Sequence, residues 1–440
     1  MAFPHEEEGP GVMRIAKPSG IPAFWGWRGA ALPVPAEEYE SRLLRVRASM
    51  ARAGASGGPL DVLVVKSPED LRYLTGFHTI GDSGPQSLVI PREGKPFMVA
   101  RLIEVDLVQK YTWLEQVWTC PDAGDIHKTF CEALRRMLPI DGQCAVGIQL
   151  DVISAAYHSR LRDFFDEFPK VVLRDGSRTV EDVRLEKSVF EQDLIRKASE
   201  MSEKAMASSL QAVRKDLLLS ELHAHATQRL LAAGSEPPSY APIVRTTDPS
   251  GHGSWEVGER VREANLVFLE MAASVHGHHA PLMRTAYVLG PEESAPPEWL
   301  LEAERLIREA FDVCLPLMRP GARACDVDKA GRDILTSNTA GLSMAARLAY
   351  TAGGTATNPA GNAGWGDADF SLVGHNEGEL REGMVFHFIP WFQKYFPPVT
   401  GPIGMSDTVL VTPEGGRRFG SLPLRLTILK PDGSPWERPE

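Results

Sequence analysis

The chain is poor in cysteine, has no excess of basic residues and lacks any long apolar run, and each shortage removes a class of function. Its five cysteines (Cys120, Cys131, Cys144, Cys314 and Cys325) fall in no C-x-x-C pair among 440 residues, which supports neither a disulfide framework nor a zinc knuckle. With 47 Lys and Arg against 58 Asp and Glu, the formal net charge is −11, a balance that argues against a nucleic-acid binder or a protein drawn to anionic membranes. The longest notable charge-free stretch, Leu348 to Gly366, is full of Gly, Thr, Asn and Pro, so it reads as loop and not as a membrane span. The first ten residues, MAFPHEEEGP, are acidic and lack the apolar core of a secretory signal. A cytoplasmic protein is expected.

What is present is ordinary globular composition, 43% hydrophobic and 24% charged, at a length that suggests two or three domains. Residues 1–35, rich in Pro and Gly, read as an extended arm packing on the body or on a partner subunit. Helical periodicity begins at Glu37, and from there short strands alternate with helices: LDVLVV (60–65), PEDLRYLTG (68–76), a hairpin of SLVIP and PFMVA, then a strand at Cys144–Ile148 between two helices. This predicts an α/β domain over 36–180. A charged joint, 181–187, leads into a helix over about 188–215 and a second over 218–233 that stops at Gly234, a natural C-cap. Beyond Val267 the pattern changes to LVFLEMAASV, a turn at His276-Gly277, and PLMRTAYVLG. Two helices (about 296–317 and 325–337) and the strands MVFHFIPWF, MSDTVLVT and LRLTIL follow. An α+β second domain over 188–430 is expected.

This order of elements, with GHGSW (251–255), FLEMA (268–272), GHHAPLMRT (277–285), WGDADFSL (365–372), FHFIP (386–390) and MSDTVLVT (405–412), resembles the creatinase/aminopeptidase P or pita-bread family, and the ectoine hydrolases in particular. The resemblance spans 37–430 and implies a creatinase-like N-terminal α/β domain followed by a pita-bread catalytic domain. Metal-dependent members hold two divalent ions with Asp, Asp, His, Glu and Glu from five places; here those places carry Glu270, Pro281, Tyr350, Ile389 and Ser406. Proline and isoleucine offer no donor, and one carboxylate does not hold a dinuclear site. No metal and no other cofactor is expected.

Hydrolysis without metal needs a nucleophile or an activated water, and a proton for the leaving nitrogen. The resemblance puts His252, in the GHGSW loop, where creatinase has its catalytic histidine. Glu270 interrupts an apolar strand, where an acid is costly unless partnered or used. It either attacks a cyclic amidine carbon or pairs with a cationic group of the substrate, and the likeness to ectoine hydrolases favours attack. His279 is read as a substrate-orienting or proton-relay residue, with His278 on the opposite face. Arg284 is expected to brace an acid. Tyr240, Trp255, Tyr350 and Trp365 form a candidate aromatic wall for a flat or cationic molecule. Asp367, Asp407 and Phe77, the last in a loop that in this family often reaches the partner subunit's site, complete the candidate substrate contacts. Met283 and Ile389 stand where creatinase has glutamates, so creatine is not the expected substrate.

The expectation is therefore a metal-independent hydrolase of a C–N bond in a small cyclic amidine, amide or related amino-acid derivative, acting as a homodimer without nucleic-acid or membrane partners. The alternatives left open are a creatinase-like amidinohydrolase, an Xaa-Pro peptidase-like enzyme, a small-zwitterion lyase and a non-catalytic pita-bread binding protein.

Overall fold

The computed structural model describes residues 5–7, 13–16, 34–52, 57–78, 86–121, 123–138, 142–237, 241–246, 258–337, 370–392 and 403–437. The chain forms two compact units, Met1–Arg184 and Leu185–Glu440. Among the described residues no helix is long and apolar enough to cross a membrane, and all five cysteines are free thiols.

The first unit runs β1 (His5–Glu7), β2 (Met13–Ala16), α1 (Ala36–Ala51), β3 (Val62–Val65), α2 (Pro68–Thr75), β4 (Ser87–Pro91), β5 (Phe97–Arg101), α3 (Val105–Tyr111), β6 (Gln116–Cys120), α4 (Ile126–Met137), β7 (Cys144–Ile148), α5 (Ala155–Phe165), β8 (Val171–Asp175) and α6 (Arg178–Arg184). The strands form one mixed sheet in the order β1-β2-β6-β5-β4-β3-β7-β8. Both faces of β3 are buried, because successive side chains of a strand point to opposite sides. Leu63 and Val65 pack with Val46 and Leu71 from α1 and α2, while Val62 and Val64 pack with Phe130, Leu134 and Leu161 from α4 and α5. The amino-terminal arm contributes β1 and β2 to the sheet through pairing of Met13–Ala16 with β6. Strands β6 and β8, helix α3 and that pairing carry no strong signal in the sequence, since β8 is short and half exposed.

The second unit runs α7 (Val189–Ala212), α8 (Leu219–Ala232), β9 (Ile243–Thr246), β10 (Asn265–Val275), β11 (His278–Val288), α9 (Glu298–Cys314), α10 (Ala324–Ser337), β12 (Val385–Phe388), β13 (Trp391–Phe392), β14 (Ile403–Gly404), β15 (Asp407–Thr412), β16 (Gly415–Arg418) and β17 (Thr427–Leu429). Helix α7 starts in a capping box: the Ser188 hydroxyl accepts from the Glu191 amide, and the Glu191 carboxylate accepts from the Ser188 amide. Helix α8 is followed by Gly234 at φ 98°, a backbone state that glycine adopts without penalty. The long hairpin β10–β11 closes through His276 and Gly277 at φ 48° and 81°, the two-residue turn that suits strand twist. One face of the hairpin, with Val267, Leu269, Met271, Leu282 and Ala286, buries α7 and α8. The strand read as one piece, MVFHFIPWF, divides into β12 and β13 around Pro390, which has no N–H for a ladder. LTIL forms β17, which pairs parallel to β11.

Strand β15 is locked to β11 by a buried guanidinium. Arg284 donates through Nη2 to Asp407 Oδ1 (3.1 Å) and to Leu422 O (2.9 Å). Its Nη1 donates to Met283 O (2.8 Å) and Ser406 O (2.7 Å), and Nε donates to Pro423 O (3.2 Å). Arg418 Nε donates to the other oxygen of Asp407. Removing one partner of a buried ion pair leaves a desolvated charge without compensation. Asp407→Ala is therefore expected to lower the unfolding free energy of this unit by about 3–5 kcal/mol in chemical denaturation. Glu302→Ala, which removes the exposed partner of Arg305, should cost no more than about 1 kcal/mol.

Candidate active site

The hairpin face that turns away from α7 and α8 carries the candidate site. Alternation along β10 puts Phe268, Glu270, Ala272 and Ser274 on that face, and the pairing register sets them opposite Thr285, Met283, Pro281 and His279 of β11. Strand β9 adds Ile243 beside Glu270 and Arg245 beside Phe268. Phe268, Met283 and Trp391 form an apolar cluster, with Ile243 and Ile389 packed against it. Glu270 is thus an acid set in a hydrophobic wall.

Two further side chains reach it from the β12–β15 pair. The His387 imidazole of β12 puts Nδ1 3.9 Å from Glu270 Oε1, and its Nε2 shares a hydrogen bond of 2.5 Å with Ser406 Oγ. Ser406 is held in place by the backbone: its amide donates to Met283 O (3.1 Å) and its own carbonyl accepts from Arg284. Next to it, the Thr408 hydroxyl donates to Pro281 O (2.9 Å). The result is a row Ser406–His387–Glu270. With the serine hydroxyl donating to Nε2, the Nδ1–H faces the carboxylate. Ser406 is 0% exposed whereas the Glu270 side chain is 14% exposed, so the acid and not the hydroxyl is the reachable end.

Burial sets the protonation of this row. Desolvation pushes the Glu270 carboxyl up to about 7, although the Arg245 charge opposes the rise. Desolvation pushes His387 down to about 3, so near neutral pH the imidazole is uncharged and Glu270 exchanges its proton.

His279 lies on the same face but is buried, its Nδ1 3.1 Å from Gly277 O. It stands four residues before Met283 in β11, the residue opposite Glu270, a distance of about 13 Å at ordinary strand rise. His278 points to the other face, with Nε2 3.3 Å from Glu191 of α7. Two expectations need correction. Asp407 is not a substrate group: both its oxygens are taken by Arg284 and Arg418, and the residue is 2% exposed. Phe77 is not one either, because its ring is packed in the core of the first unit with Val46, Leu74 and Leu88. Arg284 braces an acid as expected. His252, Tyr240, Trp255, Tyr350, Trp365 and Asp367 lie outside the described residues.

The sequence reading missed Arg245 and His387, and it noted Ser406 only as an unsuitable metal donor. The signal for the first two was present, since each is an ionisable residue inside an apolar strand, as Glu270 is (IVRT and VFHF). Among the described residues, the donor set does not fit a two-ion centre. Pro281 and Ile389 have no ligating atom, Ser406 is engaged with His387, and no cluster of three or more His, Cys, Asp or Glu suited to a metal occurs among the described residues.

The linkage of His387 to stability has a definite sign. A histidine whose folded value lies near 3 against an unfolded value near 6.5 contributes stability above pH 6.5, and that contribution is lost as pH falls towards 3. His387→Asn should therefore unfold less readily with acid than the native chain. The gap between the two should close by about 1.4 kcal/mol per pH unit between pH 6 and pH 4, read from denaturation curves at a series of pH values.

Comparison with known proteins agrees with this architecture. Residues 42–185 match the creatinase/prolidase N-terminal domain and residues 193–413 match metallopeptidase family M24. An ectoine hydrolase of Halomonas elongata is 26% identical over 430 residues, covering 90% of this chain and 99% of that protein. Among solved structures, a prolidase of Thermococcus sibiricus superposes with a TM-score of 0.75 at 19% identity, covering 90% of this chain and 100% of that one. An Xaa-Pro dipeptidase of Bacillus anthracis superposes with a TM-score of 0.72 at 18% identity, covering 89% and 100%. At such identities the two structures speak to fold alone. The chain belongs to metallopeptidase family M24, as a hydrolase built from a creatinase/prolidase N-terminal domain and a pita-bread domain.

Proposed function

We propose that this chain hydrolyses a C–N bond of a small cyclic amidine or amide without a metal ion, in the manner its likeness to an ectoine hydrolase suggests. The observation that carries the reading is Glu270: one carboxyl tuned to about 7 beside a neutral imidazole, on a face where the partners of a second ion would have to come from Pro281, Met283 and Ile389.

A carboxyl that ionises near neutral pH suits proton transfer at physiological pH. As carboxylate, Glu270 attacks the amidine carbon or takes the proton of an attacking water, and both roles require the deprotonated form. The C–N bond then breaks as the ring nitrogen gains a proton, which the reading assigns to His252, and where Glu270 has attacked, a water then cleaves the bond to Glu270 and regenerates the carboxylate. Neutral His387, anchored by Ser406, orients the carboxylate. It also avoids placing a second charge in the wall. The reading includes a cytoplasmic homodimer acting on a small molecule.

The test is an assay of the purified protein on ectoine, other cyclic amidines, lactams and Xaa-Pro dipeptides, with and without chelator. Ring opening that is unchanged by chelator is expected. Cleavage of Xaa-Pro dipeptides alone, restored only by a divalent transition metal, would overturn the proposal. Turnover should rise with pH through about 7 as Glu270 ionises. Glu270→Gln should lose roughly 10²- to 10⁴-fold and no longer show that limb. For the assembly, light scattering is expected to give a dimer, and a fully active monomer at nanomolar concentration would contradict it.

A further inference from the structure

Arg245 is an unusual residue to find in this wall. It is only 9% exposed, its guanidinium carbon lies 5.6 Å from the centroid of the Phe268 ring, and its Nε finds no hydrogen-bond acceptor among the described residues. Compare Arg284, also buried, whose nitrogens donate to four carbonyls and a carboxylate. A buried guanidinium is normally satisfied in this way, because leaving its donors dry is costly. Among the described residues, Arg245 meets the ring face of Phe268 and the more distant field of Glu270.

The register shows what such a group is placed to do. Arg245 is paired with Phe268, and Glu270 stands two residues farther on the same face of β10. Diagonal neighbours of this kind are about 7–8 Å apart at Cα. A cation and an acid therefore sit on neighbouring strands in a wall of Phe268, Met283 and Trp391, without an ion pair between them.

We propose that Arg245 is the carboxylate-binding residue of the substrate site. The inference rests on the cyclic-amidine reading of Glu270 and narrows it to substrates that carry a carboxylate on the ring. A guanidinium presents Nε–H and an Nη–H as a planar fork that matches the two oxygens of a carboxylate. The ring carboxylate supplies the missing acceptor, while the amidine carbon, a few bonds away, comes over Glu270. A monoanionic carboxylate fits better than a phosphate dianion, because the Glu270 carboxylate alongside repels added negative charge. Arg245 then also explains selectivity: an amidine without the carboxylate leaves the buried fork dry, and an unfilled buried donor discriminates strongly.

The experiment follows the Arg245 Nε–H resonance in the whole protein labelled with ¹⁵N-arginine, the signal being identified by its absence in Arg245→Gln. Three probes are titrated: ectoine, its decarboxylated ring amidine, and cyclopentanecarboxylate, which has the carboxylate but no amidine. The expected result is a shift with a carboxylate probe and none with the decarboxylated amidine. Calorimetry should show Arg245→Gln weakening the carboxylate probe by roughly 10- to 100-fold. Arg245→Lys should fall between, and binding of the decarboxylated amidine should be unchanged. A shift with cyclopentanecarboxylate but not with ectoine keeps the assignment of Arg245 and removes the cyclic-amidine reading. No response to either carboxylate, or an equal response to the decarboxylated amidine, overturns the assignment.

Discussion

The geometry of the candidate site depends on one buried side chain that takes no part in its chemistry. Arg284 ties its own strand, the Ser406–Asp407 step and the 422–423 segment together through its donors. Asp407 completes this node with Arg418. Because Ser406 enters β15 at this point and bridges to Met283, the node decides where the hydroxyl stands. The hydroxyl in turn orients His387, and His387 faces Glu270. A guanidinium satisfied by carbonyls and a carboxylate is rigid, since every displacement breaks several charge-assisted bonds together. The site inherits that rigidity.

Against this braced background, burial sets the charges on the wall of β9, β10 and β11. His387 is held neutral by burial, Glu270 is raised by burial, and among the described residues Arg245 meets a ring face and a distant carboxylate. The contrast with His278 and Glu191, which meet on the opposite face against α7, is informative. In a family whose name records metal-assisted peptide cleavage, this chain keeps the fold and, at the places where the resemblance puts metal ligands, carries Glu270 together with Pro281 and Ile389, which have no donor atom.

Much of the architecture was legible from residue order. The start of α7 after the charged joint, Gly234 as the end of α8 and His276-Gly277 as the hairpin turn were legible, because helix ends and positive φ are local demands met by local residues. The apolar runs of β3 and β10 are similarly local. Strands β6 and β8 were not legible: β8 is half exposed, and each is held by parallel pairing to a strand on the far side of a helix. The parallel pairing of β17 with β11 rests on the same kind of long-range closure.

Of the candidate site, the sequence by itself determined the acid: an isolated Glu270 in an apolar strand points to a costly and therefore purposeful group. It also determined what is missing, because Pro281 and Ile389 lack donor atoms in any fold. Only the tertiary structure decided which residues join Glu270. It moved Asp407 from the substrate list into the brace with Arg284 and Arg418, and Phe77 into the core of the first unit. It brought in His387 from 117 positions away and Arg245 from a neighbouring strand. The reason is physical: residue type fixes what an atom can donate or accept, whereas burial, register and the partners already taken fix whether it remains available.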